Sequence, residues 1–149
     1  IQNENIIYRE WIEDELVLFS NQKLPARVKG KDLLTYKWVC RPQGTQTRDM
    51  FKDTLEKENF PNCEEFEIIS EASSATTIIQ TVIHSSKEDG QTVSIVSKNA
   101  IDQQVKNKEL FEARIGSQKM KRKLYIAYRK DRKHDAFIEN VVDYLIKIK

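Results

Sequence analysis

Residues that build catalytic and metal centres are scarce in this sequence of 149 residues, which has only two histidines, two cysteines and four glycines. With so few glycines, the chain carries neither a dinucleotide-binding fingerprint nor a phosphate-binding loop. His84 and His134 belong to no recognisable nucleophile arrangement, and no Cys/His cluster has the spacing of a metal site. We therefore expect no catalytic residue, no metal and no cofactor.

The two cysteines are far apart in the sequence. Cys40 ends an apolar run, and Cys63 follows a Pro-Asn turn. A disulfide between them is conceivable from the sequence, but two idle or buried thiols are more typical of a protein from a reducing compartment. We therefore expect two free thiols in a cytoplasmic protein.

Long apolar segments are also missing. No run is long enough to cross a membrane, and no secretory signal is visible, so we expect no membrane partner. The first residue is Ile1 rather than methionine, as it would be in a piece of a longer protein.

Hydrophobic residues make up 39% of the chain and charged residues 32%, a balance typical of one globular domain with its own core. The net charge of +2 is unevenly spread. Residues 1–75 hold ten Lys/Arg against fourteen Asp/Glu, whereas residues 76–149 hold fifteen against nine. The basic excess at residues 119–123 and 129–134 fits either a nucleic-acid patch or solvated charge at strand ends. The lack of interleaved aromatic residues favours solvated charge.

Apolar runs of strand length alternate with helical patterns along the chain. We predict strands at residues 16–19, 37–40, 65–70, 93–96, 110–115 and 124–128. We predict helices at residues 47–59 and 74–86, a short helix capped by Asn99, and a last helix from about residue 135. This alternation predicts an α/β three-layer sandwich, in which helices cover both sides of a mostly parallel sheet.

The sharpest local signal lies at residues 38–55. An apolar run ends in a polar turn that contains Gly44, and an amphipathic helix follows. Thr45 or Thr47 can cap this helix by accepting a bond from a free backbone N–H group. A helix start of this kind collects N–H groups and hydroxyls that suit a small anion or a carboxylate.

A second helix start follows the strand at residues 65–70. In an open α/β sheet, both helix starts lie at the carboxyl ends of strands, where ligands usually bind. Each start alone is explained as an ordinary N-cap, but two starts on neighbouring strands also fit one ligand site. The candidate ligand-binding residues are Gly44, Thr45, Gln46, Thr47, Ser73 and Ser74.

Several segments together resemble the effector-binding domain of LysR-type transcriptional regulators. They are residues 14–19, the loop at 24–25, and residues 31–34, 38–41 and 44–48. In that family a Gly-Ser-Gly-Thr-Arg-like turn opens a helix at this place. Residues 44–48 read Gly-Thr-Gln-Thr-Arg, with Thr at the Ser position and Gln at the second Gly. The loop at residues 85–92 departs from the family's short Gly-x-Gly turn, because it is longer and keeps one glycine.

The resemblance implies a fold like that of type II periplasmic binding proteins. Residues 1–20 would be the end of a first subdomain and a crossover strand, and residues 21–115 would be the second subdomain. Residues 116–149 would form a returning strand and a C-terminal helix. The family's N-terminal winged helix-turn-helix is expected to lie outside this chain.

The function implied is that of a sensor in a transcriptional regulator. The domain would bind a small anionic metabolite, would self-associate as a homodimer or tetramer, and would reach DNA only through the N-terminal domain. Two other classes of protein stay open. One is a solute-binding receptor of the same architecture, and the other is an enzyme on this fold, such as a dehydratase.

Overall fold

A computed structural model describes residues 6–117, 119–129, 141 and 144. The chain folds as two compact units. The larger unit comprises Glu15–Met120, and the smaller unit comprises Ile1–Asp14 together with Lys121–Lys149. The candidate ligand-binding residues all belong to the larger unit.

The strands are β1 (Ile6–Ser20), β2 (Arg27–Val28), β3 (Lys37–Cys40), β4 (Glu67–Glu71), β5 (Thr92–Ser97), β6 (Phe111–Ile115) and β7 (Met120–Arg129). The helices are α1 (Gly30–Leu33), α2 (Gln46–Glu58), α3 (Ala75–Ile83) and α4 (Asp102–Lys106). Two 3₁₀ turns, Cys63–Glu65 and Lys98–Ile101, precede β4 and α4.

The strands form a mixed sheet in the order β2-β6-β1-β5-β3-β4, and β7 also pairs with β1. β3 is parallel to β4 and β5, and β2 is parallel to β6. β1 is antiparallel to both β5 and β6. The carboxyl ends of β3 and β4 therefore lie side by side at one edge of the sheet, where the candidate site is expected.

Two hydrophobic cores lie on opposite faces of the sheet within Glu15–Met120. Successive residues of a strand point to opposite faces. Leu16 and Leu18 of β1 accordingly face the core that α1 and α2 cover, whereas Val17 and Phe19 face the core that α3 and α4 cover. This arrangement confirms the predicted α/β fold with helices on both sides of the sheet.

Trp38, in the middle of β3, is the central side chain of the first core and is fully buried. Its ring stacks on Phe51 of α2, with 5.1 Å between centroids, and on Phe66, with 4.8 Å. Its indole N–H donates to the carbonyl oxygen of Leu33 in α1 at 2.9 Å. One side chain thus holds two helices and the segment before β4 against β3.

Of the two predicted N-cap candidates for α2, the structure selects Thr45, and the predicted end at Asn59 is confirmed. Thr45 is the N-cap residue and accepts a bond from the backbone N–H of Arg48. The helix ends at Asn59, which adopts the left-handed conformation with φ of 59° that asparagine tolerates.

Two local predictions need correction. Asn99 does not cap a helix but lies inside the 3₁₀ turn Lys98–Ile101. The chain tightens there because Ile101 enters the core a few residues after β5. The strand predicted at residues 65–70 begins at Glu67 instead. The reason is a reciprocal cap, in which Asn62 accepts from the N–H of Glu64 and its own N–H donates to Glu65.

The smaller unit contains the first part of β1 paired with β7. Three ion pairs connect these strands: Lys121 to Glu13 (3.2 Å), Arg122 to Asp14 (3.0 Å) and Lys123 to Glu10 (3.6 Å). The basic stretch at residues 121–123 is therefore neutralised by acidic residues of β1, which favours solvated charge over a nucleic-acid patch. Residues 130–134 and most of the helix predicted from residue 135 lie outside the described residues, although Val141 and Tyr144 are helical.

Replacing Trp38 by Phe should lower the free energy of unfolding, because the carbonyl of Leu33 would lose its donor inside the core. A buried acceptor without a partner costs about 1–3 kcal/mol. Urea titration followed by circular dichroism measures the loss. Trp11→Phe is the matched control, and it should lose less because Trp11 is only half-buried. Equal losses in the two variants would contradict the central position of Trp38.

Candidate functional site

The turn between β3 and α2 is held by Thr45. Its hydroxyl donates to the carbonyl oxygen of Pro42 at 2.9 Å and accepts from the backbone N–H of Arg48 at 3.4 Å. Gly44 has a φ of +87°, which glycine adopts without strain. Because the hydroxyl hydrogen of Thr45 is already donated, this side chain shapes the turn rather than offering a free donor.

The connection between β4 and α3 carries Ser73 and Ser74, both of which are exposed. Ser74 is the N-cap residue of α3, and its hydroxyl accepts from the backbone N–H of Thr77 at 3.4 Å. The backbone N–H of Ala72 donates to the carbonyl oxygen of Cys40 at 3.0 Å. This bond aligns the ends of β3 and β4, so the two helix starts are neighbours, as the sequence predicts.

Two arginines that the sequence analysis did not select as site residues connect these helix starts. Arg41 Nη1 donates to the carbonyl oxygen of Ser73 at 2.6 Å. Arg48 Nη1 donates to the carbonyl oxygen of Arg41 at 2.9 Å and lies 3.5 Å from the carboxylate of Glu71. The signal that could have found them is their position, since Arg41 directly follows β3 and Arg48 is the third residue of α2, after the N-cap Thr45.

Thr47 differs from the other candidate residues because it is buried, with 9% of its surface exposed. It lines a cavity of about 10 Å³, which is room for about one water molecule. The polar lining comes from Arg41, Thr47, Arg48 and Ser94, and the other residues are Trp38, Val39, Cys40, Phe51 and Ile95. The hydroxyl of Ser94 donates to the carbonyl oxygen of Val39.

A larger groove of about 660 Å³ runs beside α2. Gly44 and Arg48 line it, together with charged side chains of both signs from α2, namely Asp49, Lys52 and Glu56. Gln46, the first residue of α2, is exposed. Four candidate residues therefore lie at the α2 start and two at the α3 start, and the bond from Arg41 to Ser73 connects the two groups.

The thiols near the site are unreactive groups rather than nucleophiles. Burial raises the pKa of the Cys40 thiol from 9.0 to about 11, although the Arg48 guanidinium opposes the shift. Burial also raises the pKa of Cys63, again against the influence of Arg48. Both thiols are free, as the sequence predicts, and they are neutral near pH 7.

His84, at the end of α3, is exposed and lies outside the site, and His134 lies outside the described residues. In the part of the chain that the structure describes, no group of three or more His, Cys, Asp and Glu side chains could hold a metal ion. Within that same part, none of the helices has the length and apolar character needed to span a membrane.

The sequence matches the LysR substrate binding domain family over residues 1–147. The HTH-type transcriptional regulator YeiE of Escherichia coli K12 is 28% identical over 142 residues, which cover 93% of this chain and 45% of that protein. YeiE of Escherichia coli O157:H7 gives the same values. The chain thus spans less than half the length of the curated relatives that it matches.

Three solved structures illustrate the likeness in fold. The CcmR regulatory domain of Synechocystis PCC6803 in complex with 2-PG has a TM-score of 0.73 at 17% identity, covering 99% of this chain and 70% of that one. The effector-binding domain of QuiR in complex with shikimate has a TM-score of 0.67 at 16% identity, with 99% and 68% covered. CbnR, a LysR family transcriptional regulator, gives 0.66 at 18% identity, with 99% and 49% covered. These values show the periplasmic-binding-protein-like fold expected from the sequence.

Stability should fall as the pH rises from about 9 to about 11, because the Cys40 thiol keeps its proton longer in the folded chain than in the unfolded chain. Below pH 9 both states hold this proton. Above it the unfolded state binds fewer protons, so the free energy of unfolding decreases with pH. Urea titrations between pH 8 and 11 should therefore show a shallower pH dependence for Cys40→Ala than for the wild type. Identical slopes would contradict the raised pKa.

Proposed function

Since the chain belongs to the LysR substrate-binding domain family, we propose that it senses a small anionic effector on behalf of a LysR-type transcriptional regulator. The observation that carries this proposal is the pairing of two helix starts at the ends of neighbouring parallel strands, tied together by the bond from Arg41 to Ser73. Such a pair presents backbone N–H groups and hydroxyls in one place.

The preference for an anion follows from the chemistry of helix starts. α2 has 13 residues and α3 has nine, so each carries a partial positive charge at its first turn. Anions bind well at such ends. In this proposal Thr47 and Ser73 donate to the effector, Thr45 and Ser74 fix the helix starts, and Gly44 and Gln46 shape the start of α2 beside the effector.

Two relatives in fold support an effector of this kind. The CcmR regulatory domain is in complex with 2-PG, and the QuiR effector-binding domain is in complex with shikimate, which is a carboxylate. Both are regulatory domains of the same fold with a small molecule bound. They are also natural first probes for this chain.

We further propose that the effector acts by population shift, because a ligand changes a conformational equilibrium only through its different affinity for the two states. The complete regulator would self-associate as a homodimer or tetramer and would contact DNA through an N-terminal winged helix-turn-helix outside residues 1–149. It would act in the cytoplasm. Residues 21–115 would be the second subdomain of the effector-binding domain, residues 1–20 the end of the first subdomain and a crossover strand, and residues 116–149 a returning strand and a C-terminal helix.

The receptor and enzyme alternatives have less support. The family and the curated relatives are transcriptional regulators, not receptors or dehydratases. Near the candidate site, Cys40 and Cys63 are neutral thiols, and we find no activated nucleophile among the described residues.

Removing the hydroxyl of Thr47 should weaken effector binding. Thr47→Val keeps the branched shape and deletes one donor to a charged ligand, a loss of about 1.5–3 kcal/mol. The dissociation constant should therefore rise roughly ten- to a hundredfold. Isothermal titration of the full-length regulator measures it, with ligands chosen from a panel of carboxylates and phosphates that begins with shikimate and 2-PG.

The matched control is Thr54→Val on the same helix. Thr54 is buried like Thr47, but its hydroxyl donates to the carbonyl of Met50 and it does not line the cavity. This variant should bind as the wild type does. Normal binding by Thr47→Val, or equal loss in both variants, would count against the proposed site.

The 149-residue chain alone should bind DNA weakly and without sequence preference. Lys121, Arg122 and Lys123 are paired with carboxylates, which weakens their attraction to DNA. The remaining attraction of basic side chains to DNA phosphates is independent of sequence and falls as the salt concentration rises. Mobility shifts with promoter and random duplexes at physiological salt test this expectation, with the full-length regulator as the control that should bind selectively. A sequence-selective shift by the 149-residue chain would overturn it.

A further inference from the structure

We propose that Arg41 recognises a carboxylate group of the effector through the free edge of its guanidinium. The inference rests on the proposed effector-sensing function and adds the residue that selects the ligand's charged group. One edge of Arg41 is occupied, because Nη1 donates to the carbonyl oxygen of Ser73 at 2.6 Å. The Nε atom is buried and has no hydrogen-bond partner among the described residues.

The free edge has the geometry that a carboxylate requires. Nη1 is the terminal nitrogen that is cis to Cδ. Its bond to Ser73 therefore leaves the N–H groups of Nε and Nη2, which point in the same direction, as a parallel pair of donors. A carboxylate accepts two parallel N–H bonds from such a pair, and lysine cannot reproduce this arrangement. The bond to Ser73 also fixes the orientation of the plane before a ligand arrives.

Space for an acceptor exists beside Arg41. Arg41 lines the cavity of about 10 Å³ with Thr47, Arg48 and Ser94 and with a largely apolar remainder, which is room for about one oxygen-sized group. A buried donor of a charged group is expected to find an acceptor, because leaving it unsatisfied is unfavourable. We infer that one carboxylate oxygen enters this cavity and that the rest of the effector stays outside it.

The balance of charge at the two helix starts favours an anion over a neutral ligand. Arg48 is compensated by Glu71 at 3.5 Å, although the Glu71 side chain is 54% exposed. Arg41 makes no ion pair with any described residue. One guanidinium charge therefore remains to be balanced beside the cavity, and a carboxylate supplies the complementary charge.

Nuclear magnetic resonance of the ¹⁵N-labelled 149-residue chain tests the proposal directly. The probes are acetate, acetamide and inorganic phosphate at pH 7.5 and constant ionic strength. Acetate should shift the Arg41 Nε–Hε resonance with a saturating curve, whereas acetamide, which has the same shape and no charge, should not shift it. Phosphate tests whether the Nε and Nη2 donor pair of Arg41 also binds an oxyanion other than a carboxylate. A phosphate shift with no acetate shift would overturn the assignment to a carboxylate.

Arg41→Lys is the decisive variant, because it keeps the positive charge and removes the parallel pair of N–H donors. Acetate should bind the variant at least about tenfold more weakly, as followed by the backbone amides of residues 45–48. Arg27→Lys, at an exposed arginine of β2, is the matched control and should bind as the wild type does. If Arg41 serves only to hold Ser73, Arg41→Lys will lower the melting temperature without changing the preference for acetate over acetamide, and the proposal fails.

The failure of this inference can be told apart from failure of the proposed function. If acetate shifts the amides of residues 45–48 but leaves the Arg41 Nε–Hε resonance unmoved, the proposed anion site is supported. In that case Arg41 does not bind the ligand, and the inference is wrong. If a LysR effector found by titration binds Arg41→Lys as tightly as the wild type, the inference is also wrong. If acetate at up to about 100-fold excess over protein shifts neither the amides of residues 45–48 nor the Arg41 Nε–Hε resonance, the inference is overturned. The proposal of an anionic effector then also loses the support that Arg41 gives it.

Discussion

The packing of Trp38 is the constraint on which the rest of the larger unit depends. Its fully buried ring lies between Phe51 of α2 and Phe66 before β4, and its N–H is bonded to Leu33 of α1. Burial of so large an aromatic surface contributes strongly to stability, and offset stacking adds to it. Because Cys40 and the turn at residues 41–45 follow closely on Trp38, this side chain contributes to the position of that turn relative to α2.

Local signals in the sequence predict the strands and helices that hold the site. Contacts between residues that are far apart in the sequence cannot be predicted in this way. The limits of β3 and the ends of α2 at Thr45 and Asn59 are predicted because each depends on a few adjacent residues. The bond from Arg41 to Ser73 spans 32 positions, so no pattern of spacing reveals it. The antiparallel course of β1 between β5 and β6 is likewise a matter of topology, since a buried strand reads the same in either direction.

Part of the uneven charge of the two halves of the chain has a structural explanation in the described residues. The acidic excess of the first half includes Glu10, Glu13 and Asp14 on β1, and the basic excess of the second half includes residues 121–123 on β7. The two strands pair, so opposite charges meet across them at 3.0–3.6 Å. Pairs of opposite charge on neighbouring strands stabilise a sheet modestly. Among the described residues, strand pairing thus accounts for part of a charge asymmetry that resembles a nucleic-acid signal in the sequence.

The parts of the candidate site are held in place by hydrogen bonds within the chain. Thr45 and Ser74 cap their helices, and Arg41 ties the β4–α3 connection to the end of β3. A ligand that binds a preformed surface does not have to order it, so little conformational entropy opposes binding. Differences in affinity between ligands should then come from the group that each one places at the α2 start. Charge and hydrogen-bond geometry there, rather than the size of the contact, would decide which metabolite the domain detects.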